Sequence, residues 1–178
     1  YLTVKDIHNE GLVLVLNDGS EWDIKYFSGG WRLVGWGWTE QQEVSHWTIG
    51  DTIEIQYPGS GNLIDFILLI TNLSKKEEAW ATLRQAPSVD HSACLYVTSF
   101  DKETNCVTLS NGTVWFKAAT DMYGSAFQQI QKTSISQVSW KTGDTLTVIK
   151  ARGRLFSDSF MLWNHSTNEM PFVSPEKE

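Results

Sequence analysis

A chain of 178 residues with net charge −7, 41% apolar and 20% charged residues has the composition of an acidic globular protein. The charge argues against nucleic acid and anionic membrane as partners, because both need basic patches and Lys75-Lys76 is the only adjacent pair of cations. The apolar run from Phe66 to Ile70 is too short to cross a bilayer, so no membrane span is expected.

The chain starts at Tyr1 rather than Met, as expected of a trimmed or processed start, and no signal peptide pattern stands there. Nine tryptophans are many for this length, and small cores cannot hide them all.

In chain order, Leu2-Thr3-Val4 alternates as a strand does, and His8-Asn9-Glu10-Gly11 is a turn cluster. Leu12 to Leu16 follows, too apolar throughout to show which side faces inward. A second copy of the stretch supplies the answer. Asn17-Asp18-Gly19-Ser20-Glu21-Trp22 recurs as Ser110-Asn111-Gly112-Thr113-Val114-Trp115. Trp47-Thr48-Ile49-Gly50-Asp51-Thr52 recurs as Trp140-Lys141-Thr142-Gly143-Asp144-Thr145. Both pairs of tryptophans, and the Gly and Asp pairs with them, are 93 residues apart. Two blocks in register over such a span predict an internal duplication.

The copies decide the facing. Opposite Leu12 to Leu16 stand Asn105, Cys106, Val107, Thr108 and Leu109. Only Leu14/Val107 and Leu16/Leu109 are large and apolar in both, so these four are expected in the core. A two-residue turn on Asp18-Gly19 would set Val15 opposite Trp22. A three-residue loop, with Gly19 left-handed in a bulge, sets Leu14 there instead. The second choice sends Leu14, Leu16, Trp22 and Ile24 to one face and pairs Val107 with Trp115, and the burial gained favours it.

The next segments diverge. Residues 25–46 are rich in glycine and tryptophan, whereas residues 117–139 lack that pattern, and Asp121 could cap a short helix to Lys132 that Gly124 weakens. Strands are expected again at Thr52–Ile55 and Thr145–Val148, then at Phe66–Ile70 and Phe160–Trp163, each ending at an asparagine, Asn72 or Asn164. Final strands follow around Ala79–Leu83 and Met170–Val173, and Pro171 argues for an edge position in the latter. The expected fold is all-β, with two homologous small barrels, SH3-like or OB-like, at 1–83 and 94–173, a linker at 84–93 and a tail at 174–178.

The paired blocks, Asn-Gly-Ser-x-Trp then Trp-x-x-Gly-Asp-x-Ile, resemble a short duplicated β-repeat in uncharacterised proteins of chlamydia-type bacteria. The resemblance covers both copies, with Asp18 in place of the pattern's asparagine in the first. It implies no activity, and it transfers no functional residue.

The constellations favour no chemistry. One Gly-Asp-Thr per half invites comparison with the paired aspartates of aspartic hydrolases, but Ile53 and Leu146 stand where those enzymes continue with glycine. Asp51 and Asp144 are therefore expected in turns, a hydrolase dyad being the lesser alternative. His8, His46, His91 and His165 lack metal-ligand spacing, and Ser28, Ser45 and Ser139 lack a nucleophile motif. No enzyme, catalytic residue, metal or cofactor is expected. Cys94 and Cys106 occur in one copy alone, which speaks against a duplicated disulfide framework. Asn72, Asn111 and Asn164 open glycosylation sequons in expected turns.

Trp31, Trp36 and Trp38 stand apart, because the second copy places Gly124, Gln129 and Gln131 there. A barrel-forming role should recur in both copies. These three are therefore the candidate ligand-binding residues of a non-enzymatic interaction module. A protein partner or self-association is expected, through this aromatic surface or a cleft between the repeats. A carbohydrate ring stacked on the indoles is the alternative.

Overall fold

The computed structural model describes residues 2–25, 27–28, 39–40, 44–57, 68–88, 94–118, 138–151 and 160–175. All regular structure among them is β, apart from one 3-10 turn at Asn9–Gly11. In chain order the strands are β1 (Leu2–His8), β2 (Val13–Leu16), β3 (Glu21–Ile24), β4 (Phe27–Ser28), β5 (Thr39–Glu40), β6 (Thr52–Tyr57), β7 (Leu68–Asn72) and β8 (Glu77–Gln85). They continue as β9 (Leu95–Asp101), β10 (Cys106–Leu109), β11 (Val114–Lys117), β12 (Thr145–Ala151), β13 (Phe160–Asn164) and β14 (Phe172–Ser174). The chain separates into two compact units, Tyr1–Ile55 with Ile64–Ala86, and Gln56–Leu63 with Pro87–Glu178.

In the first unit the strands pair in the order β1-β2-β3-β8-β7-β6, and β6 returns to β1. That ring is a closed six-stranded barrel. Closure needs curvature, and the short strands and the register shift between Val4 and Asp6 of β1 supply it. A closed ring leaves no unpaired strand edge. The alternation of β6, with Ile53 and Ile55 buried between half-exposed Thr52, Glu54 and Gln56, marks the inward face. Leu14, Leu16, Trp22, Leu68 and Ile70 fill the interior. The separate pair β4–β5 stands outside the ring.

The hairpin register is the one the burial argument selects. Leu14 lies opposite Trp22, and Val107 opposite Trp115. Gly19 N–H donates to Leu16 O at 3.0 Å, and Leu16 N–H to Ser20 O at 2.9 Å, which closes a three-residue loop. Gly112 to Leu109 and Leu109 to Thr113 repeat it, each at 2.9 Å. Gly19 and Gly112 have φ of +82° and +80°, a left-handed conformation that costs glycine little.

In the second unit the strands pair in the order β12-β13-β14-β11-β10-β9, and β9 also pairs with β12. Val97, Val107, Leu109, Trp115, Leu146 and Leu162 form its core. Pro171 does not place the last strand at an edge. β14 begins one residue later and pairs with β13 on one side and β11 on the other. Pro171 needs no N–H there, because only its carbonyl is used, accepting from Leu162 N–H at 3.1 Å.

Arg84 and Gln85, read from sequence as linker, complete β8 and pair across to β3 through Gln85 and Glu21. The expected helix from Asp121 to Lys132 lies outside the described residues.

Candidate functional site

The first repeated motif builds a hydrogen-bond relay at each hairpin tip. In the first unit Asp18 Oδ1 accepts from Ser20 N–H at 2.9 Å and from the Ser20 hydroxyl at 2.6 Å. Ser20 Oγ in turn accepts from Trp22 Nε1 at 2.9 Å. In the second unit Asn111 Oδ1 takes Thr113 N–H at 3.0 Å and its hydroxyl at 2.6 Å, and Thr113 Oγ1 takes Trp115 Nε1 at 3.0 Å. The motif thus reads as acceptor, left-handed glycine, hydroxyl and anchored indole. The indole N–H groups of Trp22 and Trp115 each find a partner, without which each would cost about 1–3 kcal/mol.

The second motif builds a turn latched to a buried asparagine. Asp51 Oδ2 accepts from Thr48 N–H at 2.9 Å and from Asn72 Nδ2 at 2.7 Å. Asp144 Oδ2 accepts from Lys141 N–H at 2.9 Å and from Asn164 Nδ2 at 2.8 Å. Both asparagines are fully buried, and their Oδ1 atoms cap the following turns at Lys75, or at Ser166 and Thr167. The Asn72 amide, then the Thr48 N–H, hold the Asp51 carboxyl below the usual carboxylate range. Gly50 and Gly143, with φ of +93° and +94°, free the backbone at these turns.

The units differ around the next tryptophan. Trp47 Nε1 donates to Glu77 Oε2 at 2.8 Å, and His46 Nε2 meets the same oxygen at 2.5 Å. These contacts, His46 first, pull the Glu77 carboxyl below its ordinary range. In the second unit Glu169 Oε2 accepts instead from the Thr167 hydroxyl, and the buried Trp140 Nε1 has no hydrogen-bond partner. His165 lies tilted against Trp163, ring centroids 4.8 Å apart, and is bonded to Thr147 Oγ1 at 2.7 Å. Burial pushes its pKa down to about 4, so it stays neutral at physiological pH.

The motif tryptophans are spent on the fold. Trp22, Trp47, Trp115 and Trp140 are 0%, 5%, 8% and 5% exposed; outside the motifs, Trp163 is buried as well and Trp80 is half-buried. The candidate binding residues Trp31, Trp36 and Trp38 lie outside the described residues, as do Gly124, Gln129, Gln131 and His91. Among the described residues no group of three or more His, Cys, Asp or Glu is placed to hold a metal ion. No helix among them is long and apolar enough to cross a membrane. Cys94 and Cys106 are not joined in a disulfide. Two of the three sequon asparagines, Asn72 and Asn164, are buried latch residues, while Asn111 is exposed.

Sequence reasoning missed the asparagine latch and the Glu77 clamp. Asn72 and Asn164 recur 92 residues apart beside the motif aspartates, which was the available signal for the latch. Glu77 recurs as Glu169 at the same 92-residue spacing, but that recurrence does not announce the clamp, because the bonds to His46 and Trp47 are made in the first unit only. No family model, curated protein or solved structure matches the chain.

Proposed function

We propose that the chain is a non-enzymatic binding module made of two homologous six-stranded barrels, the first of which carries the binding surface. The duplication is supported by equivalent strand orders in the two units, β1-β2-β3-β8-β7-β6 and β9-β10-β11-β14-β13-β12. It is further supported by matched turn glycines and matched side-chain relays. The binding reading rests on one observation: the tryptophans shared by the two copies are all buried in the fold. Trp31, Trp36 and Trp38 are not shared, so the common framework makes no demand on them. Tryptophan offers large contact area at low entropic cost, and the glycines Gly29, Gly30, Gly35 and Gly37 put no side chains over the rings. The partner is a protein or a second copy of this chain.

A hydrolase centred on Asp51 and Asp144 is a weaker reading. One oxygen of each aspartate already accepts two hydrogen bonds from its own turn and its own asparagine.

The test is the full chain carrying Trp31→Ala, Trp36→Ala and Trp38→Ala. Its urea unfolding should stay within about 1 kcal/mol of wild type. Self-association by sedimentation equilibrium, or the binding of a soluble oligosaccharide panel in the carbohydrate alternative, should be lost. Unfolding of the first unit in the variant would make the three residues core and end the binding reading.

A further inference from the structure

Asn111 carries a chemistry that binding does not use. It is the one asparagine in the sequence followed by glycine. Such a pair converts without an enzyme, because glycine puts no side chain in the way of its own nitrogen. The Gly112 nitrogen attacks the Asn111 side-chain carbonyl carbon. A nitrogen–carbon bond forms, the bond from that carbon to Nδ2 breaks, and ammonia leaves with the glycine amide proton. Water then opens the cyclic imide to aspartate or to isoaspartate.

The hairpin tip is open to water. Asn111 and Gly112 are exposed, and a Cβ added at Gly112 would meet nothing within 4 Å. The reacting groups are nevertheless engaged in hydrogen bonds. Asn111 Oδ1 is turned forward onto the Thr113 N–H and hydroxyl, at 3.0 Å and 2.6 Å. The Gly112 N–H is donated to Leu109 O at 2.9 Å. Attack requires both sets of bonds to break, so the β10–β11 tip must open first.

The first unit supplies the product state. Asp18 occupies the equivalent place and makes the same two bonds, to Ser20 N–H at 2.9 Å and to its hydroxyl at 2.6 Å. Aspartate therefore fits this turn. Isoaspartate adds a methylene to the main chain and removes the acceptor from its position, so the loop closed by Leu109 N–H on Thr113 O cannot re-form.

We propose that Asn111 is a self-converting site gated by opening of the β10–β11 tip, whose aspartyl product rebuilds the turn and whose isoaspartyl product does not.

The test incubates the full chain at mildly alkaline pH, in buffer and in concentrated urea, with peptide mapping by mass spectrometry. Conversion should fall on Asn111 first and add one negative charge on isoelectric focusing. It should run about tenfold or more slower in buffer than in urea, since only the open fraction reacts. Thr113→Val, which removes the hydroxyl holding Asn111, should raise the rate in buffer. Asn111→Asp should unfold at the wild-type urea midpoint. Equal rates in buffer and urea, earlier conversion of another asparagine in urea, or a lowered midpoint for Asn111→Asp would each overturn the proposal. The buffer-to-urea comparison uses the unaltered chain and does not depend on any variant folding.

Discussion

Replacing Trp22 by alanine removes the largest fully buried side chain among the described residues of the first unit. Trp22 lies opposite Leu14, itself fully buried, and its neighbours in a closed ring cannot collapse far into the space left. Large-to-small changes of this kind cost about 3–5 kcal/mol. Part of that cost is the relay, because Ser20 Oγ loses the donor that sat 2.9 Å away. Trp22→Phe separates the two effects: it keeps most of the ring but removes the N–H, and should cost about 1–2 kcal/mol. Combined with Ser20→Ala in a double-mutant cycle, it should show a coupling of about 0.5 kcal/mol or more. Urea unfolding followed by near-ultraviolet circular dichroism reads all of these. Trp22→Ala within about 1 kcal/mol of wild type would refute the burial argument, and zero coupling would refute the relay.

Other outcomes follow from the latches and the buried histidine. Asn72→Ala strips Asp51 of its closest donor and uncaps the turn at Lys75, and should cost about 1–3 kcal/mol by urea unfolding. A carboxylate whose folded pKa is lowered adds stability above its unfolded pKa and loses it as pH falls through the folded one. Asp51 and Glu77 should therefore make the urea midpoint fall as pH drops below about 4. His165 works in an earlier window. Its pKa drops from 6.5 to about 4 on folding, so the unfolded chain takes the proton first and stability declines as pH falls between those values. The decline should total roughly 3 kcal/mol and be absent in His165→Gln. Gly112→Ala has open space around the new methyl group but keeps a φ of +80°, so thermal denaturation should show a loss of about 1–2 kcal/mol from backbone strain alone.

The barrel register was legible because two similar stretches of sequence solve one equation. Val15 and Leu14 are equally apolar, but their counterparts Thr108 and Val107 are not, and that difference identifies the inward side. Once Leu14 faces Trp22, the three-residue loop and the left-handed Gly19 follow. The buried Asp18 was not legible, since an aspartate at a turn tip ordinarily faces water. Its burial makes sense only with Ser20 and Trp22 stacked behind it. Pro171 sits within the strand that alternation predicts, Met170–Val173, but in the fold it precedes a strand paired on both sides. Of the candidate site, the sequence yields Trp31, Trp36 and Trp38 by contrast between the copies. The structure adds what became of the other tryptophans.

Acrylamide quenching of tryptophan fluorescence tests most directly whether the aromatic residues unique to the first copy form a surface. The buried set, Trp22, Trp47, Trp115, Trp140 and Trp163, should give a blue-shifted, poorly quenched emission. Wild type should add a quenchable component to it, and replacing Trp31, Trp36 and Trp38 together by phenylalanine should shrink that component to what half-buried Trp80 supplies, while leaving the near-ultraviolet dichroism unchanged. A quenchable component undiminished in the triple variant, or a collapse of the dichroism, would mean that these tryptophans belong to the core and carry no binding surface.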